Sequence, residues 1–262
     1  MTDATTTTES GKPRKTFREE VVETVQTVVY ALLIAFVLRV VLFEPFTIPS
    51  ASMEPGLLVG DYIIATKWNY GWSKHSIPFS PPLFHGRVLK FGEGPQRGDV
   101  VVFKLPRDPS QTYVKRLIGL PGDRIQVRGG VISVNGKVIV RTPAGDVMDP
   151  DPLTGGVAVA QFRETRPDGH PYTTFDRGPG HEMDDTDTYV VPEDHYFMMG
   201  DNRDNSQDSR WPEAIGVGYV PAENLIGKVR IVLASWHGGA SLFNPITWFT
   251  KFDPHRILKP VD

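Results

Sequence analysis

The feature that most constrains this chain is an apolar segment close to its N-terminus. Residues 28–38 read VVYALLIAFVL without interruption, and the polar groups within residues 21–43 are chiefly Glu23, Gln26 and Arg39. At about 1.5 Å of helical rise per residue, a segment of this length crosses the roughly 30 Å hydrocarbon core of a bilayer with some tilt. Pro45 ends the pattern. We therefore predict one transmembrane helix over residues 21–43.

The flanks of this segment predict its orientation. Residues 1–20 are polar and contain a run of threonines at Thr5–Thr8, so we expect a disordered tail. Basic side chains precede the span at Lys12, Arg14, Lys15 and Arg18, whereas none occurs between Glu44 and Thr66. Because positive charge favours the cytoplasmic side, we expect a cytoplasmic N-terminus and an extracytoplasmic domain over residues 44–262.

Two other interpretations of the segment stay open at this point. A cleavable signal peptide has a short apolar core followed by small residues, and Ser50-Ala51-Ser52 fits such a site. The length of the whole apolar stretch and the intervening Pro45 and Pro49 argue against cleavage there. The other interpretation is a buried helix of a soluble protein.

Composition excludes several classes of function. The chain lacks cysteine, so it has no disulfide, no cysteine-ligated metal and no cysteine nucleophile. Its formal net charge of −3 argues against a general nucleic-acid binder. The mean hydropathy of −0.23 resembles that of a soluble protein only because a polar domain dilutes the apolar segment.

Beyond residue 44 the pattern is typical of a turn-rich β protein. The predicted strands cover residues 57–65, 100–103, 112–118, 131–140, 189–199 and 225–235, and Asn135-Gly136 predicts a tight hairpin inside one of them. Residues 141–187 show little periodicity and predict a looped insertion or a small β cap. We expect a catalytic core of residues 44–123 and 188–235, a cap over 124–187 and a C-terminal tail over 236–262.

Two stretches are rich in aromatic residues, at 68–84 and 243–252. Ordinary core packing explains such stretches, and so does contact with the interface of a bilayer, where tryptophan is favoured. The prolines within 68–84 disfavour regular core strands there. Both interpretations stay open.

Metal binding is not indicated. The histidines are scattered without the spacing of a helical zinc site. The polar run GDNRDNSQDSR at residues 200–210 resembles a calcium loop. If that loop is counted from Asn202, however, Gln207 occupies the sixth position, where glycine is required. Its dense mixture of acids, amides and arginines instead predicts a hydrogen-bonded scaffold of arginine–carboxylate pairs.

The candidate nucleophiles and base are Ser50, Ser52 and Lys115. The two serines follow the apolar segment and lie between Pro49 and Pro55. Strand alternation places Lys115 and Arg116 on opposite faces, so one can be exposed to solvent while the other is buried among apolar side chains. Burial lowers the pKa of an amine, and a neutral lysine can accept the proton of a serine hydroxyl. From spacing alone, an exposed serine and a surface lysine remain an alternative.

Four ordered segments resemble the type I signal peptidase (leader peptidase) family, which uses a Ser/Lys dyad. The segments are FTIPSASMEP at 46–55, RGDVVVF at 97–103, YVKRLIGLPGD at 113–123 and GDNRDNSQDSR at 200–210. Ala51 stands where glycine is common, residues 211–216 are longer than a frequent version, and only one predicted span precedes the motifs. No motif covers residues 141–187.

The resemblance implies a mostly β, membrane-tethered serine endopeptidase that removes signal peptides from preproteins after small residues, in an Ala-x-Ala pattern. It implies Ser52 as nucleophile, Lys115 as general base, and Ser50 with the Ser52 N–H as the oxyanion hole. It assigns Ser206, Asp208, Asp201 and Arg203 to the support of the lysine. Residues expected to contact substrate are Ile48, Pro49, Met53, Thr112, Tyr113 and Val114.

The same resemblance implies the surroundings of the protein. We expect a single-pass protein of the bacterial inner membrane with a periplasmic or extracytoplasmic catalytic domain. The implied partners are preprotein signal peptides and the lipid bilayer, close to the secretion translocase. Nucleic acid, metal ions and cofactors are not expected.

Two alternative functions remain at this stage. A self-cleaving Ser/Lys regulator on a similar β fold would need a DNA-binding domain and an internal scissile loop, and the apolar segment argues against it. A membrane-tethered module that only holds signal sequences would not need Ser52 or Lys115, and both are present.

Overall fold

The computed structural model describes residues 16–89, 92–149, 156–237 and 244–261. Within these residues the elements are two α-helices, fifteen strands and five short 3-10 helices. The helices are α1 (Phe17–Val41) and α2 (Ile246–Thr250). Numbered along the chain, the strands are β1 (Phe43–Thr47), β2 (Asp61–Thr66), β3 (Val100–Leu105), β4 (Asp108–Gly119), β5 (Arg124–Arg128), β6 (Val131–Val134), β7 (Lys137–Val138), β8 (Arg141–Met148), β9 (Ala158–Thr165), β10 (Pro171–Asp176), β11 (Tyr189–Val190), β12 (His195–Met199), β13 (Val220–Pro221), β14 (Leu225–Ser235) and β15 (Lys259–Pro260).

Helix α1 is long and apolar enough to cross a membrane. It begins at Phe17, earlier than the predicted Val21, and ends at Val41. Thr16 and Glu19 form a reciprocal cap at its start, with the Thr16 N–H 2.8 Å from a carboxylate oxygen of Glu19. No residue of the helix is buried, although its mean hydropathy reaches 2.1 over an 18-residue window. The predicted tail over residues 1–15 lies outside the described residues.

The chain divides into a helical unit that ends at Arg39 and a β unit that begins at Val40. The main sheet of the β unit has the order β1-β2-β14-β3-β4-β12-β13, with β15 paired to β14. Strand β3 reads VVVFKL and is almost entirely buried, as its apolar run over residues 100–103 predicts for a central strand. The mostly β architecture expected from the sequence is therefore confirmed.

The region between the main strands contains two smaller sheets. One has the order β11-β5-β6-β7 and includes the predicted hairpin, with Asn135 and Gly136 both at positive φ. The other has the order β10-β9-β8 and lies within residues 141–187. The sequence predicted a looped insertion or small cap there, and the structure gives it a regular three-stranded sheet whose strands were not predicted. Strand β8 is exposed on most of its length and contains Pro143 and Gly145, so its sequence lacks a two-residue alternation.

The C-terminal tail is attached to the segment that follows the serines. Arg256 is buried, and its Nε lies 2.8 Å from Oδ1 of Asp61 at the start of β2. Its second nitrogen pairs with the other carboxylate oxygen and lies 3.0 Å from the carbonyl of Gly56. Asp61 also accepts the backbone N–H of Leu58 at 2.8 Å. One buried ion pair thus connects the end of the chain to the turn after Ser52.

The aromatic stretches divide between packing and exposure. Tyr70 is buried and donates its hydroxyl to Asp99 at 2.8 Å, whereas Phe79 is fully exposed. In the second stretch Phe252 packs against Trp236, with ring centroids 5.3 Å apart, while Phe249 is exposed. Phe243 lies outside the described residues.

Candidate active site

Ser52 lies on a 3-10 helix, Ala51–Met53, that follows β1. The pairing of β1 with β2 continues beyond the strand, because the Ile48 N–H donates to the Asp61 carbonyl at 2.8 Å and the Gly60 N–H to the Ile48 carbonyl at 2.9 Å. These bonds fix the backbone that enters the turn. Ser52 is itself buried, and the helix presents its hydroxyl at a fixed place.

Lys115 lies on β4, opposite Val101 of β3. Its Nζ is hydrogen-bonded to Ser52 Oγ at 2.5 Å, although 63 residues separate the two in the sequence. Only 3% of Lys115 is exposed, and Nζ lies 5.6 Å from the ring centroid of Tyr113. The structure thus brings together the two residues that the sequence pattern singled out for proton transfer.

The surroundings of Lys115 favour its neutral form. Burial lowers the pKa of the amine to about 8, because an ammonium loses its hydration there. The carboxylates of Asp208 and Asp201 oppose this shift, and the positive charge of Arg210 adds to it. An amine with this pKa is a far better base near neutral pH than an exposed lysine.

The other two candidate serines, Ser50 and Ser206, both line the cleft that contains the pair. Ser50 Oγ is 3.4 Å from Ser52 Oγ. Ser206 also lines the cleft beside Ser52, but its buried hydroxyl has no hydrogen-bond partner within the described residues. The contact to Lys115 that the resemblance implied for Ser206 is therefore not made here.

Asp208 is a buried carboxylate that interacts electrostatically with Lys115. Its carboxylate accepts hydrogen bonds from Arg210 Nε at 2.9 Å and from the Gly200 N–H at 2.9 Å. Burial favours the protonated acid, but the guanidinium of Arg210 and these hydrogen bonds hold the pKa of Asp208 below its usual value. A Cβ on Gly200 would lie 2.4 Å from the Ser52 carbonyl, so only glycine permits this close approach.

Arg116 and Asp201 form a buried ion pair on the other face of β4. Two guanidinium nitrogens of Arg116 lie 2.7 Å from the two carboxylate oxygens of Asp201. The expectation that one of the two adjacent cations is exposed to solvent was wrong, because Arg116 is as buried as Lys115. The carboxylate of Asp201 provides the compensation that makes this burial tolerable.

Two residues of this network were missed from the sequence. Arg203 pairs through two hydrogen bonds with Glu164, and Tyr172 donates its hydroxyl to the same carboxylate at 2.5 Å. The two missed residues are Glu164 on β9 and Tyr172 on β10, inside the segment without family motifs. The only signal was an acid and a tyrosine in a region otherwise interpreted as loops, which is too weak to indicate a buried pair.

A cleft of about 630 Å³ contains the Ser52–Lys115 pair. All six residues expected to contact substrate line it, together with Phe46, Thr47, Asp204, Asn205, Gln207 and Trp211, which were not predicted. Trp211 is the first residue after the last motif. It begins residues 211–216, the segment that is longer than a frequent family version. Its ring belonged to no family motif and gave no signal in the sequence.

One edge of β4 is open beside the cleft. Residues 112–115 pair with β3 on one side, whereas the pairing of β12 on the other side begins at Arg116. Among the strands that the structure describes, none pairs with that second side of residues 112–115. An extended peptide can therefore add to the sheet here.

Within the described ranges, no group of three or more histidine, aspartate or glutamate side chains is arranged to hold a metal ion. The polar run at residues 200–210 instead consists of internal ion pairs and backbone contacts, such as the Asn202 N–H to the Ser52 carbonyl at 3.2 Å. The buried amide of Asn202 makes no side-chain hydrogen bond within those ranges.

Comparison with known proteins gives consistent sequence matches. Residues 21–236 match the model of the family described as signal peptidase, peptidase S26. A signal peptidase I of Rickettsia typhi is 39% identical over 265 residues, which cover 95% of each chain. A signal peptidase I of Rickettsia akari is 42% identical over 247 residues, 88% of this chain and 89% of that one.

A solved structure is also similar. The signal peptidase I of Enterococcus faecalis V583 is 27% identical and covers 52% of this chain and 97% of its own, with a TM-score of 0.31. The family model and the two relatives each extend over most of the chain. On these sequence matches, the chain belongs to the signal peptidase family, peptidase S26.

Proposed function

We propose that this signal peptidase is a membrane-anchored serine endopeptidase with a Ser52–Lys115 dyad, cleaving preproteins after small residues. The observation that carries the proposal is the 2.5 Å hydrogen bond between Lys115 Nζ and Ser52 Oγ in a buried site. It is supported by the open edge of β4, which offers a place for an extended substrate directly beside that pair.

In the first half of the reaction, Ser52 Oγ attacks the scissile carbonyl while neutral Lys115 takes the hydroxyl proton. The carbonyl π electrons move onto oxygen, and the Ser52 N–H together with the Ser50 hydroxyl stabilise the oxyanion. The intermediate collapses, the C–N bond breaks, and the Lys115 ammonium gives its proton to the leaving amine. The signal peptide is then an ester of Ser52 and the mature chain is free.

In the second half, Lys115 acts again as the base. It takes a proton from a water molecule that attacks the ester, and the ammonium returns that proton to Ser52 Oγ as the ester bond breaks. Asp208, paired with Arg210, acts on the lysine through its charge, and Ser206 lines the cleft beside the pair. Asp201 and Arg203 hold the loop that carries both.

Substrate selection follows from the shape of the cleft. A signal peptide adds as a strand to residues 112–115, so alternate side chains point into the wall formed by Ile48, Val114 and their neighbours. Pro49, Met53 and Tyr113 also line the cleft, and we expect their side chains to limit its depth near Ser52. Small side chains such as alanine fit at positions −1 and −3, and large ones are rejected by their size.

The identifying experiment is cleavage of a purified preprotein by the full-length protein, with the new N-terminus sequenced. We expect one cut after an Ala-x-Ala sequence, with about a tenfold or greater loss when −1 or −3 is enlarged to leucine. The Ser52→Ala variant serves as the inactive control. A cut at another site, or equal cleavage of the leucine substrates, would contradict the proposed specificity.

The dependence of activity on pH follows from the state of Lys115. Since the base must be neutral and its pKa lies at about 8, kcat/KM rises with pH and levels off above that value. Below it the rate falls about tenfold per pH unit, because each unit reduces the neutral fraction by that factor. The measurement is a pH–rate profile with a neutral peptide substrate. A flat profile between pH 6 and 9 contradicts a lysine base.

We propose that α1 anchors the enzyme with its N-terminus in the cytoplasm and the catalytic domain on the periplasmic side of the inner membrane. The length and hydropathy of α1 support the span, and the basic residues before it support the orientation. Anchoring would hold the cleft near the membrane, where signal peptides emerge beside the translocase. Protease added to intact spheroplasts should degrade the catalytic domain; protection of that domain would contradict this orientation.

A further inference from the structure

The β9–β10 hairpin contributes a buried acid to the loop that supports Lys115. Glu164 on β9 is only 1% exposed, and its two carboxylate oxygens lie 2.5 and 2.6 Å from the terminal nitrogens of Arg203. The two residues lie 39 positions apart in sequence. The insertion and the loop of residues 200–210 therefore share one bidentate ion pair.

Tyr172 on β10 makes a second connection from the same hairpin. Its hydroxyl donates to Glu164 at 2.5 Å, and its ring lies over the guanidinium of Arg116 at 4.0 Å. Arg116 in turn pairs with Asp201 of the loop. A backbone bond of 2.9 Å from the Phe175 N–H to the Asp201 carbonyl adds to this contact. The hairpin thus touches the loop through side chains and main chain.

Arg203, which is paired with Glu164, is also hydrogen-bonded to residues near Lys115. Arg203 Nε donates to the Gly200 carbonyl at 3.2 Å, and the Arg203 carbonyl accepts from the guanidinium of Arg210. Arg210 pairs with Asp208, which also accepts the Gly200 N–H. The position of Asp208, which interacts electrostatically with Lys115, therefore depends on the same loop backbone that Arg203 holds.

The number of buried charges indicates what the hairpin contributes to the loop. Three buried arginines meet here, namely Arg116, Arg203 and Arg210, but the loop supplies only Asp201 and Asp208 as buried acids for them. Glu164 supplies the third carboxylate. Without it, Arg203 would compete for Asp201, because Asp201 already interacts electrostatically with Arg203. A buried charge that loses its partner is strongly destabilising.

We propose that Glu164 is a positioning residue for catalysis, through which the β9–β10 hairpin aligns the loop behind Lys115. The inference rests on the proposed function, in which Lys115 is the general base. It assigns a role to residues 158–176, a segment outside the sequence motifs that indicated the active site. Glu164 touches neither Ser52 nor the cleft, so its influence passes through Arg203 and the loop backbone.

The test compares Glu164→Gln with wild type in the full-length, detergent-solubilised enzyme. We expect kcat to fall by about tenfold or more, because small misplacements of a catalytic group are costly. We expect KM to change by less than about twofold, because the substrate-binding edge is untouched. The acidic limb of the pH profile should move to higher pH. A loosened loop admits water to Lys115, which faces Asp208, Asp201 and Arg210, and hydration of the ammonium raises the pKa of the lysine.

Two further variants complete the design. Glu182→Gln makes the same chemical change at an exposed position of the same insertion and should behave as wild type. Tyr172→Phe removes one hydrogen bond to Glu164 and retains the ring over Arg116, so it should produce a smaller change in the same direction. It also keeps the inference testable if Glu164→Gln does not fold.

The outcomes separate positioning from mere folding. A lower folded fraction with wild-type kcat per titrated active site and an unmoved pH profile would overturn the inference, as would wild-type behaviour of Tyr172→Phe. Lys115→Met is measured alongside. If that variant is active, the proposed function fails and the inference with it; if it is inactive while Glu164→Gln behaves as wild type, only the inference fails.

Discussion

Replacement of Lys115 with methionine is expected to abolish preprotein cleavage, with kcat/KM falling by roughly four orders of magnitude or more. Methionine has nearly the same length and shape, so it fills the buried site, but its thioether sulfur is far too weak a base to take the Ser52 proton. Since burial already disfavours the charged lysine, the variant should be at least as stable as wild type. The measurement is single-turnover cleavage together with thermal unfolding.

The control for this prediction is Lys137→Met. Lys137 lies on the exposed strand β7, so the same chemical change there should leave cleavage unaltered. A folded Lys115→Met enzyme with substantial activity would remove lysine from the mechanism and leave the serine without its base. An inactive enzyme that has also lost its folding transition would contradict the expected stability.

Arg116→Met is expected to lower the free energy of unfolding by about 3–5 kcal/mol. The substitution leaves Asp201 as a buried carboxylate without its bidentate partner, and it removes the cation stacked on Tyr172. Hydrophobic replacement of one member of a buried pair does not recover this loss. The measurement is urea unfolding of the full-length protein in detergent, followed by tryptophan fluorescence.

Arg128→Met provides the matched comparison. Arg128 faces Asp185 at 4.0 Å, and both side chains are more than half exposed. Solvent screens such pairs, so we expect a change within about 0.5 kcal/mol. Equal losses in the two variants would show that burial does not decide the value of these ion pairs.

The parts of the site that could be predicted are those that depend on local sequence. Alternation on β4 placed Lys115 and Arg116 on opposite faces, and the motif resemblance indicated the serine turn and the loop of residues 200–210. The hairpin at Asn135-Gly136 follows directly from turn chemistry. In each case neighbouring residues carry enough information about the backbone.

The parts that could not be predicted depend on partners distant in sequence. Arg116 looked like a candidate for solvent because Asp201, which compensates it, lies 85 residues away. The residues beside Glu164 on β9 are Arg163 and Thr165, both polar, so its burial depends on partners elsewhere in the sequence, chiefly Arg203. Strand β8 was missed because it is exposed and interrupted by proline and glycine. Pairing between distant segments is not encoded in any single window of sequence.

The ion pair between Asp61 and Arg256 has a consequence for biosynthesis. Its members lie 195 residues apart, and Asp61 is completely buried. During translation the segment after Ser52 is made early, but the carboxylate of Asp61 lacks this partner until Arg256 has left the ribosome. The turn that carries Ser52 therefore gains its last partner only after strands β2 to β14 have been made, so a nascent chain completes this site long after it has synthesised the serine itself.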